Sequence, residues 1–222
     1  MGTLVVIAGC GSTMGRNIAH VFAGAGFDLA LIARSEEPLR AIADEVAVGG
    51  YDGTVEYYPG DVTQPDTTAD LFGRIRSHQG DPGILVYNVA TMVKTPPSAL
   101  TAQEILDTLP AMFLGALYTT TEVLPAMRRA GEGTLLYTGG GFGILPATFT
   151  ASHSLGKAAL RNWVHNLHQE LKPEGIHAAT VTITRPVTNG GPYDGRTIAG
   201  HYLSLHRQPR DRWEWEVIHR EL

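Results

Sequence analysis

A glycine-rich stretch, Gly9-Cys10-Gly11-Ser12-Thr13-Met14-Gly15, sits between a short apolar run and a segment of helical periodicity. Backbone N–H groups that open a helix point outward, and the helix dipole favours an anion there. Glycines let that backbone approach a pyrophosphate closely. Gly9, Gly11, Ser12, Thr13, Met14 and Gly15 are therefore expected to cradle a diphosphate. The spacing alone is a weak signal, and the flanking strand and helix patterns strengthen it. The next apolar run ends in Ala33-Arg34-Ser35. A site selective for NAD places an acid at this point to bind the ribose hydroxyls. A guanidinium instead suits the 2′-phosphate of NADP, through paired charge-assisted hydrogen bonds. Arg34 and Ser35, with Arg16 as a possible assistant, therefore favour NADP(H) over NAD(H).

These residues need a scaffold, and short apolar runs alternate with helical patterns along the chain. Strands are expected at Leu4–Ala8, Leu29–Ala33, Thr54–Tyr58, Ile84–Tyr87, Thr134–Thr138 and Ala178–Ile183, with a seventh at Trp213–His219. Most are almost continuously apolar or β-branched, as parallel strands covered on both faces are. Helices fit between them at 14–25, 36–47 and 151–171, the last with Ala159, Leu160, Val164, Leu167 and Leu171 as its apolar set. Thr63 with Asp66, around Pro65, and Thr101 with Glu104 read as capping boxes. Pro110 ends one helix or begins the next. The expected fold is α/β, a three-layer doubly wound Rossmann-type domain with a mostly parallel sheet of about seven strands, spanning 1–222 as one domain. Residues 184–211 read as the least regular part, with Asn189-Gly190-Gly191-Pro192 as a loop signal.

Bulk composition narrows the partners. The 222 residues carry a net charge of −5 with no basic run, which argues against nucleic acid. The one cysteine, Cys10, rules out an internal disulfide and suits a reducing compartment. The apolar run Leu4–Ala8 is short for a signal segment, and no stretch reaches membrane-spanning length. A cytoplasmic protein with no membrane partner is expected. No His/Asp/Glu set has metal spacing. His165 and His168 read as exposed helix residues, and Trp213 and Trp215 as packing or a subunit contact.

Over nearly its whole length the chain resembles the short-chain dehydrogenase/reductase family. Gly9 to Gly15 is similar to the family's Thr-Gly-x-x-x-Gly-x-Gly turn, with Ala8 for Thr and Thr13 for the middle Gly. Asp61-Val62 resembles the pair that holds the adenine ring. Tyr87-Asn88-Val89-Ala90 resembles the Asn-Asn-Ala-Gly segment on the fourth strand, and Pro186-Val187 the stretch that meets the nicotinamide amide. The resemblance implies that Asp61, Val62, Asn88, Val89, Ala90, Pro186 and Val187 contact the cofactor. It also implies a homodimer or homotetramer through the helices matching 102–129 and 151–171.

The family's catalytic set is Tyr-x-x-x-Lys on the long helix, a Ser about a dozen residues upstream and an Asn one helix earlier. Lys157 matches the Lys, which holds the nicotinamide ribose. The Tyr position falls on His153, the Ser position at or near Gly140, and the Asn position on Met112. His153 and Lys157, four apart on a helix, share one face. The Lys157 cation disfavours imidazolium, so His153 is expected to be mostly neutral near pH 7. Three readings stay open. The first is an NADP(H)-dependent reductase of a small carbonyl or imine/iminium substrate, with His153 for Tyr and Thr138, Tyr193, His201 or Tyr202 as helpers. The second is a non-redox cyclase, isomerase or lyase that keeps NADP as a positioning element. The third is a dinucleotide-binding regulator.

Overall fold

The computed structural model of the protein describes residues 3–11 and 13–220. Ser12, one of the expected cradle residues, lies outside the described residues. Seven strands form one sheet: β1 (Leu4–Ala8), β2 (Asp28–Ala33), β3 (Val55–Pro59), β4 (Ile84–Tyr87), β5 (Gly133–Gly140), β6 (Ile176–Ile183) and β7 (Glu216–His219). Their spatial order is β3-β2-β1-β4-β5-β6-β7, and every neighbouring pair is parallel. The order reverses between β1 and β4. Chains leaving these two strands diverge, which opens a crevice at their carboxyl ends.

Helices cover both faces, and the residues explain how. Alternate positions of a strand face opposite sides. Val5 and Ile7 pack against Ile18 and Phe22 of α1 (Met14–Gly24), Leu39 and Ile42 of α2 (Glu36–Val48), and Ile198 and Tyr202 of α7 (Gly195–His206). Leu4, Val6 and Ala8 belong to the opposite core, with Leu71 and Phe72 of α3 (Pro65–Gln79), Val123 of α5 (Gly115–Ala130), and Leu160 and Val164 of α6 (Ala151–Leu171). Strands buried on both sides must be apolar at consecutive positions, which is why these runs do not alternate.

A short helix, α4 (Ala102–Leu109), is capped by Thr101, whose hydroxyl accepts from the Glu104 N–H at 3.1 Å. It runs into a π-helical turn at Pro110–Leu114 and on into α5. Proline cannot donate to the preceding turn, and the wide turn absorbs that interruption.

Several expectations are corrected. Residues 184–211 are not irregular throughout, since α7 fills Gly195–His206. Asp194 caps it by accepting from the Arg196 and Thr197 N–H groups. Thr63 does not cap α3; its N–H and hydroxyl both donate to Asp61 Oδ1, and Gln64 stands at the cap. β7 is shorter than expected, because Trp213 and Trp215 precede it and stack flat on His177 and His165. Ala159 is exposed, so it leaves the apolar set of α6. His168 is buried rather than exposed, with Nδ1 3.0 Å from the Ala178 carbonyl oxygen.

His177 is buried beside it, with Nε2 at 2.8 Å from the Glu214 carbonyl. Burial pulls its imidazole from 6.5 down to about 4. Between those values the unfolded chain binds a proton that the fold excludes, so stability falls as pH falls through that window. The expected loss is roughly 2–3 kcal/mol. Thermal unfolding measured from pH 7 down to pH 4 should therefore show a steeper fall for the native chain than for His177→Gln. Parallel curves for the two would remove His177 as the cause.

Candidate functional site

The first β-strand ends in a turn that only glycine can make. Gly9 has φ +87°, and a Cβ there would lie 2.7 Å from the Asn88 backbone. A Cβ on Gly15 would lie 2.7 Å from Cys10 Cα and the Gly9 carbonyl oxygen. Gly11 has nothing within 4 Å of its Cβ direction. Two glycines thus pack the turn tightly while the third leaves its outer side open. The Gly9 and Cys10 N–H groups both donate to the Ile32 carbonyl, which fastens the turn to β2.

A cavity of about 390 Å³ extends from this turn across the carboxyl ends of the strands. Gly9, Gly11, Arg34, Asp61, Val62, Asn88, Val89 and Ala90, all expected site residues, line it. Ile32, Ala33, Gly60, Thr63, Thr91, Asp107, Pro110 and Ala111 complete the wall, and no sequence motif marked them as site residues. Arg34 is exposed on this wall and makes no hydrogen bond or ion pair among the described residues. An uncompensated guanidinium beside an open glycine turn suits a phosphorylated dinucleotide. Thr13, Met14, Gly15 and Ser35 adjoin the wall without lining it. Ser35 stands at the N-terminus of α2, next to Arg34. Arg16 does not line the cavity, and its Nε donates to Glu45 at 2.6 Å. Pro186 and Val187 also lie outside the cavity lining; Pro186 is exposed and Val187 packs against the core.

His153 and Lys157 are both buried on α6. His153 Nδ1 lies 2.8 Å from the Thr91 carbonyl oxygen, which can only accept. Nδ1 therefore carries the proton, and in the neutral ring Nε2 holds the lone pair. Burial, and then the Lys157 charge, hold the imidazole below its ordinary range, against the raising effect of the Thr91 bond. Lys157 Nζ donates to the Thr138 carbonyl at 2.6 Å, and burial pulls its ammonium from 10.5 down to about 8. The Lys157 stem runs along Gly140, where a Cβ would lie 3.3 Å from it.

The two groups connect to the cavity by hydrogen bonds. Thr91 is a wall residue. The Thr138 hydroxyl donates to Asn88 Oδ1 at 2.8 Å, and Asn88 Nδ2 donates to the Gly9 carbonyl at 2.9 Å. Since the Thr138 proton is committed to Asn88, Tyr202 donates its hydroxyl proton to Thr138, at 2.7 Å. Tyr202 is fully buried in this bond, Tyr193 is bound to Thr184 and His201 to His219. None of the three offers a free proton to a substrate beside His153. Met112 sits in the π-helical turn, fully buried, with its sulfur 3.3 Å from the Thr91 N–H. The backbone carbonyls of Thr91 and Thr138, which hold the two functional groups, leave no trace in side-chain patterns.

Among the described residues, no group of three His, Cys, Asp or Glu could hold a metal ion, and no helix is long and apolar enough to cross a membrane.

The reversed strand order, the glycine turn and the crevice at their junction define a doubly wound α/β protein of the Rossmann type. Residues 3–189 match the short chain dehydrogenase family, and the chain belongs to that family. It is 30% identical over 178 residues to a very-long-chain 3-oxoacyl-CoA reductase of Podospora anserina, covering 79% of this chain and 52% of that protein. The chain thus spans about half the length of the curated relatives it matches. Among solved structures, a short-chain dehydrogenase from Rhodopseudomonas palustris superposes with a TM-score of 0.88 at 23% identity, covering 99% of both chains. A metagenomic short-chain oxidoreductase in complex with NADP gives 0.89 at 21% identity, covering 98% of this chain and 96% of that one.

Lys157 offers a direct check on this electrostatic picture. From pH 8 to 10.5 the unfolded chain keeps its lysine charged while the folded apoprotein loses that proton. The unfolded state binds more protons there, so stability rises with pH across that window, by up to about 3 kcal/mol. Denaturant unfolding of the apoprotein should show this rise, and Lys157→Met should flatten it. A slope that survives the substitution would assign the effect to other groups.

Proposed function

We propose that the protein is an NADP(H)-dependent reductase of the short-chain dehydrogenase type, acting on a small carbonyl or imine/iminium substrate, with His153 in the place of the usual Tyr. The observation that carries this reading is the adjacency of His153 and Lys157, held by the carbonyls of Thr91, a residue of the crevice wall, and Thr138. The NADP found in a structural neighbour and the reductase activity in the relatives' name agree with it. In this reading Gly140 and Met112 stand where the family has its Ser and Asn, so the site lacks the usual catalytic Ser, Tyr and Asn.

The proposed roles carry over from the family resemblance, and the crevice lining supports part of them. Gly9, Gly11, Ser12, Thr13, Met14 and Gly15 hold the diphosphate. Arg34 and Ser35 select the 2′-phosphate, and Asp61 and Val62 flank the adenine. Asn88, Val89 and Ala90 line the ribose side, and Pro186 and Val187 meet the nicotinamide amide. Lys157 moves from the Thr138 carbonyl to the nicotinamide ribose. When bound, the reduced nicotinamide supplies hydride to the substrate carbon.

His153 completes the reaction at the substrate oxygen. As imidazolium it keeps Nδ1–H on Thr91 and presents Nε2–H to the developing alkoxide. Among the described residues no carboxylate contributes to the shift of His153 or Lys157, and the Lys157 charge itself opposes a cationic substrate. That environment favours a neutral carbonyl over an iminium. The same neutral tautomer, with Nε2 as a base, gives specific support to a second reading, a non-redox isomerisation or elimination with NADP as a positioning element. Turnover with oxidised NADP and no change in nicotinamide absorbance would select that second reading.

Because the imidazole titrates below its ordinary 6.5, the acid form of His153 is lost as pH rises through that lowered value. Carbonyl reduction should therefore accelerate as pH falls below 6.5 and level off, while the reverse oxidation should accelerate as pH rises. His153→Phe should reduce kcat by about 10²–10⁴ with NADPH affinity little changed. Unchanged turnover would take His153 out of the mechanism. Arg34→Ala should weaken NADPH binding by roughly 10–100-fold, on the scale of a lost charge-assisted hydrogen bond, and leave NADH nearly unaffected. Equal losses for the two cofactors would contradict a 2′-phosphate contact.

A further inference from the structure

Three hydrogen bonds fasten the segment after β4 to the start of α6. The Thr150 hydroxyl donates to the Val93 carbonyl at 2.8 Å, and the Ala151 N–H donates to the Thr95 carbonyl at 3.0 Å. At the crevice end of the segment, His153 Nδ1–H donates to the Thr91 carbonyl. Thr91 is also held from its other side, where its N–H donates to the Met112 sulfur at 3.3 Å. We propose that Met112 is a positioning residue for His153: acting through the main chain of Thr91, it fixes which ring nitrogen carries the proton and which is left for chemistry. The proposal rests on the reductase reading only for the reaction that the ring serves.

The first support is the aim of the carbonyl. With its N–H anchored on the sulfur and Val93 anchored on Thr150, Thr91 cannot turn its carbonyl away from Nδ1 without breaking one of those bonds. Among the described residues the Thr91 bond is the one hydrogen bond that His153 makes. Phe142 meets the ring edge-on with centroids 6.0 Å apart, and Lys157 is the one charged side chain acting on it. Neither of these distinguishes Nδ1 from Nε2, so the choice of tautomer falls to Thr91.

The second support is that the sulfur itself is held. Met112 is fully buried in the π-helical turn, and the Tyr87 hydroxyl donates to the neighbouring Ala111 carbonyl at 2.8 Å. Tyr87 ends β4, the strand from which the Thr91 segment leaves, so both ends of the Met112–Thr91 link attach to one strand. Turns of this wide kind gather at functional sites. Gly156 supplies the third support. It lies three residues beyond His153 on α6, where side chains are neighbours on one face. A Cβ there would stand 2.5 Å from Met112 Cβ. Glycine weakens a helix interior. Here its bare backbone lets Met112 come directly against the helix that carries His153.

The experiment is nitrogen-15 NMR of the histidine rings in the apoprotein, with His153→Gln to assign the signal. It is repeated on Met112→Leu, Met112→Gln and Gly156→Ala. The native ring should carry its proton on Nδ1, and the Thr91 amide should exchange slowly with solvent. Met112→Leu nearly keeps the volume and removes the acceptor. It should admit the Nε2–H tautomer and lower the midpoint of the ring by roughly 0.4–1 pH unit, the scale of one hydrogen bond. Met112→Gln, whose amide oxygen can accept from Thr91, should restore both properties. Gly156→Ala, which pushes Met112 off α6, should reproduce the Leu variant. The pH midpoint of kcat should move with that of the ring, while KM for NADPH stays the same. An unchanged tautomer and midpoint in Met112→Leu would overturn the proposal, as would equal changes in the Leu and Gln variants, which would leave Met112 a packing residue alone. Should the variants fail to fold, the native chain still decides: a ring protonated on Nε2, or rapid exchange at the Thr91 amide, overturns the proposal. Control of the tautomer by Met112 without any NADPH-dependent turnover would uphold the positioning role while removing the reductase reading.

Discussion

The carboxamide of Asn88 ties three strands together where the strand order reverses. Its Nδ2 donates to the Gly9 carbonyl at the end of β1, and its Oδ1 accepts from Thr138 on β5. Its own backbone N–H donates to Ala8. Gly9 lies so close to the Asn88 backbone that no side chain fits between them. One residue thereby sets the shape of the glycine turn and the height of the crevice floor. The protons in this chain have fixed directions, because Asn88 Oδ1 can only accept. Thr138 then accepts from Tyr202, while its main-chain carbonyl is left for Lys157. Buried polar chains with every member paired rigidify what they connect. The crevice is rigid for that reason, and α7 is bound into it through Tyr202.

Much of this was legible in the residues, because backbone chemistry constrains side-chain choice there. Strands buried on both faces need consecutive apolar residues, so β1, β2, β4 and most of β5 and β6 could be read directly. A turn whose backbone passes as close to a neighbour as Gly9 passes to Asn88 needs glycine, so the turn could be read as well. α7 was obscured by tertiary context. Ile198, Tyr202 and Leu205 have helical spacing, yet Gly195 and Gly200 weaken local propensity, and the Asn189–Pro192 loop signal dominates the neighbourhood. Packing on the sheet and the Asp194 cap decide the matter. His168 misled for a similar reason: its position on a polar-looking helix face does not reveal the Ala178 carbonyl waiting beneath it.

The candidate site was legible in its side chains and hidden in its main chain. His153 and Lys157 stand out by type and spacing. Their partners, Thr91 and Thr138, act through carbonyl oxygens that every residue possesses, so only the fold identifies them. The same holds for Tyr193, His201 and Tyr202. Each carries a group suited to proton transfer, and each spends it on an internal bond that sequence cannot display.

On the proposed reading, the departures from the family's polar set act in one direction. Gly140 presents no hydroxyl, and Met112 presents a thioether, a weak acceptor, where an amide would stand. Both changes remove dipoles that would stabilise charge near His153 and Lys157. Desolvation is the largest influence on each of these groups, and it lowers both. A drier pocket therefore makes His153 a weaker reservoir of protons at neutral pH and a readier base. It also makes Lys157 easier to neutralise until the cofactor's anionic groups arrive to support its charge. Cofactor binding and proton supply are thus coupled through one cation. On that reading Lys157 would keep its charge beside a bound dinucleotide, that charge would disfavour imidazolium, and the Nε2 proton of His153 would become more acidic in the loaded site. On this reading a general acid that gains strength only in the loaded site would release its proton where an alkoxide is forming and hold it more firmly otherwise.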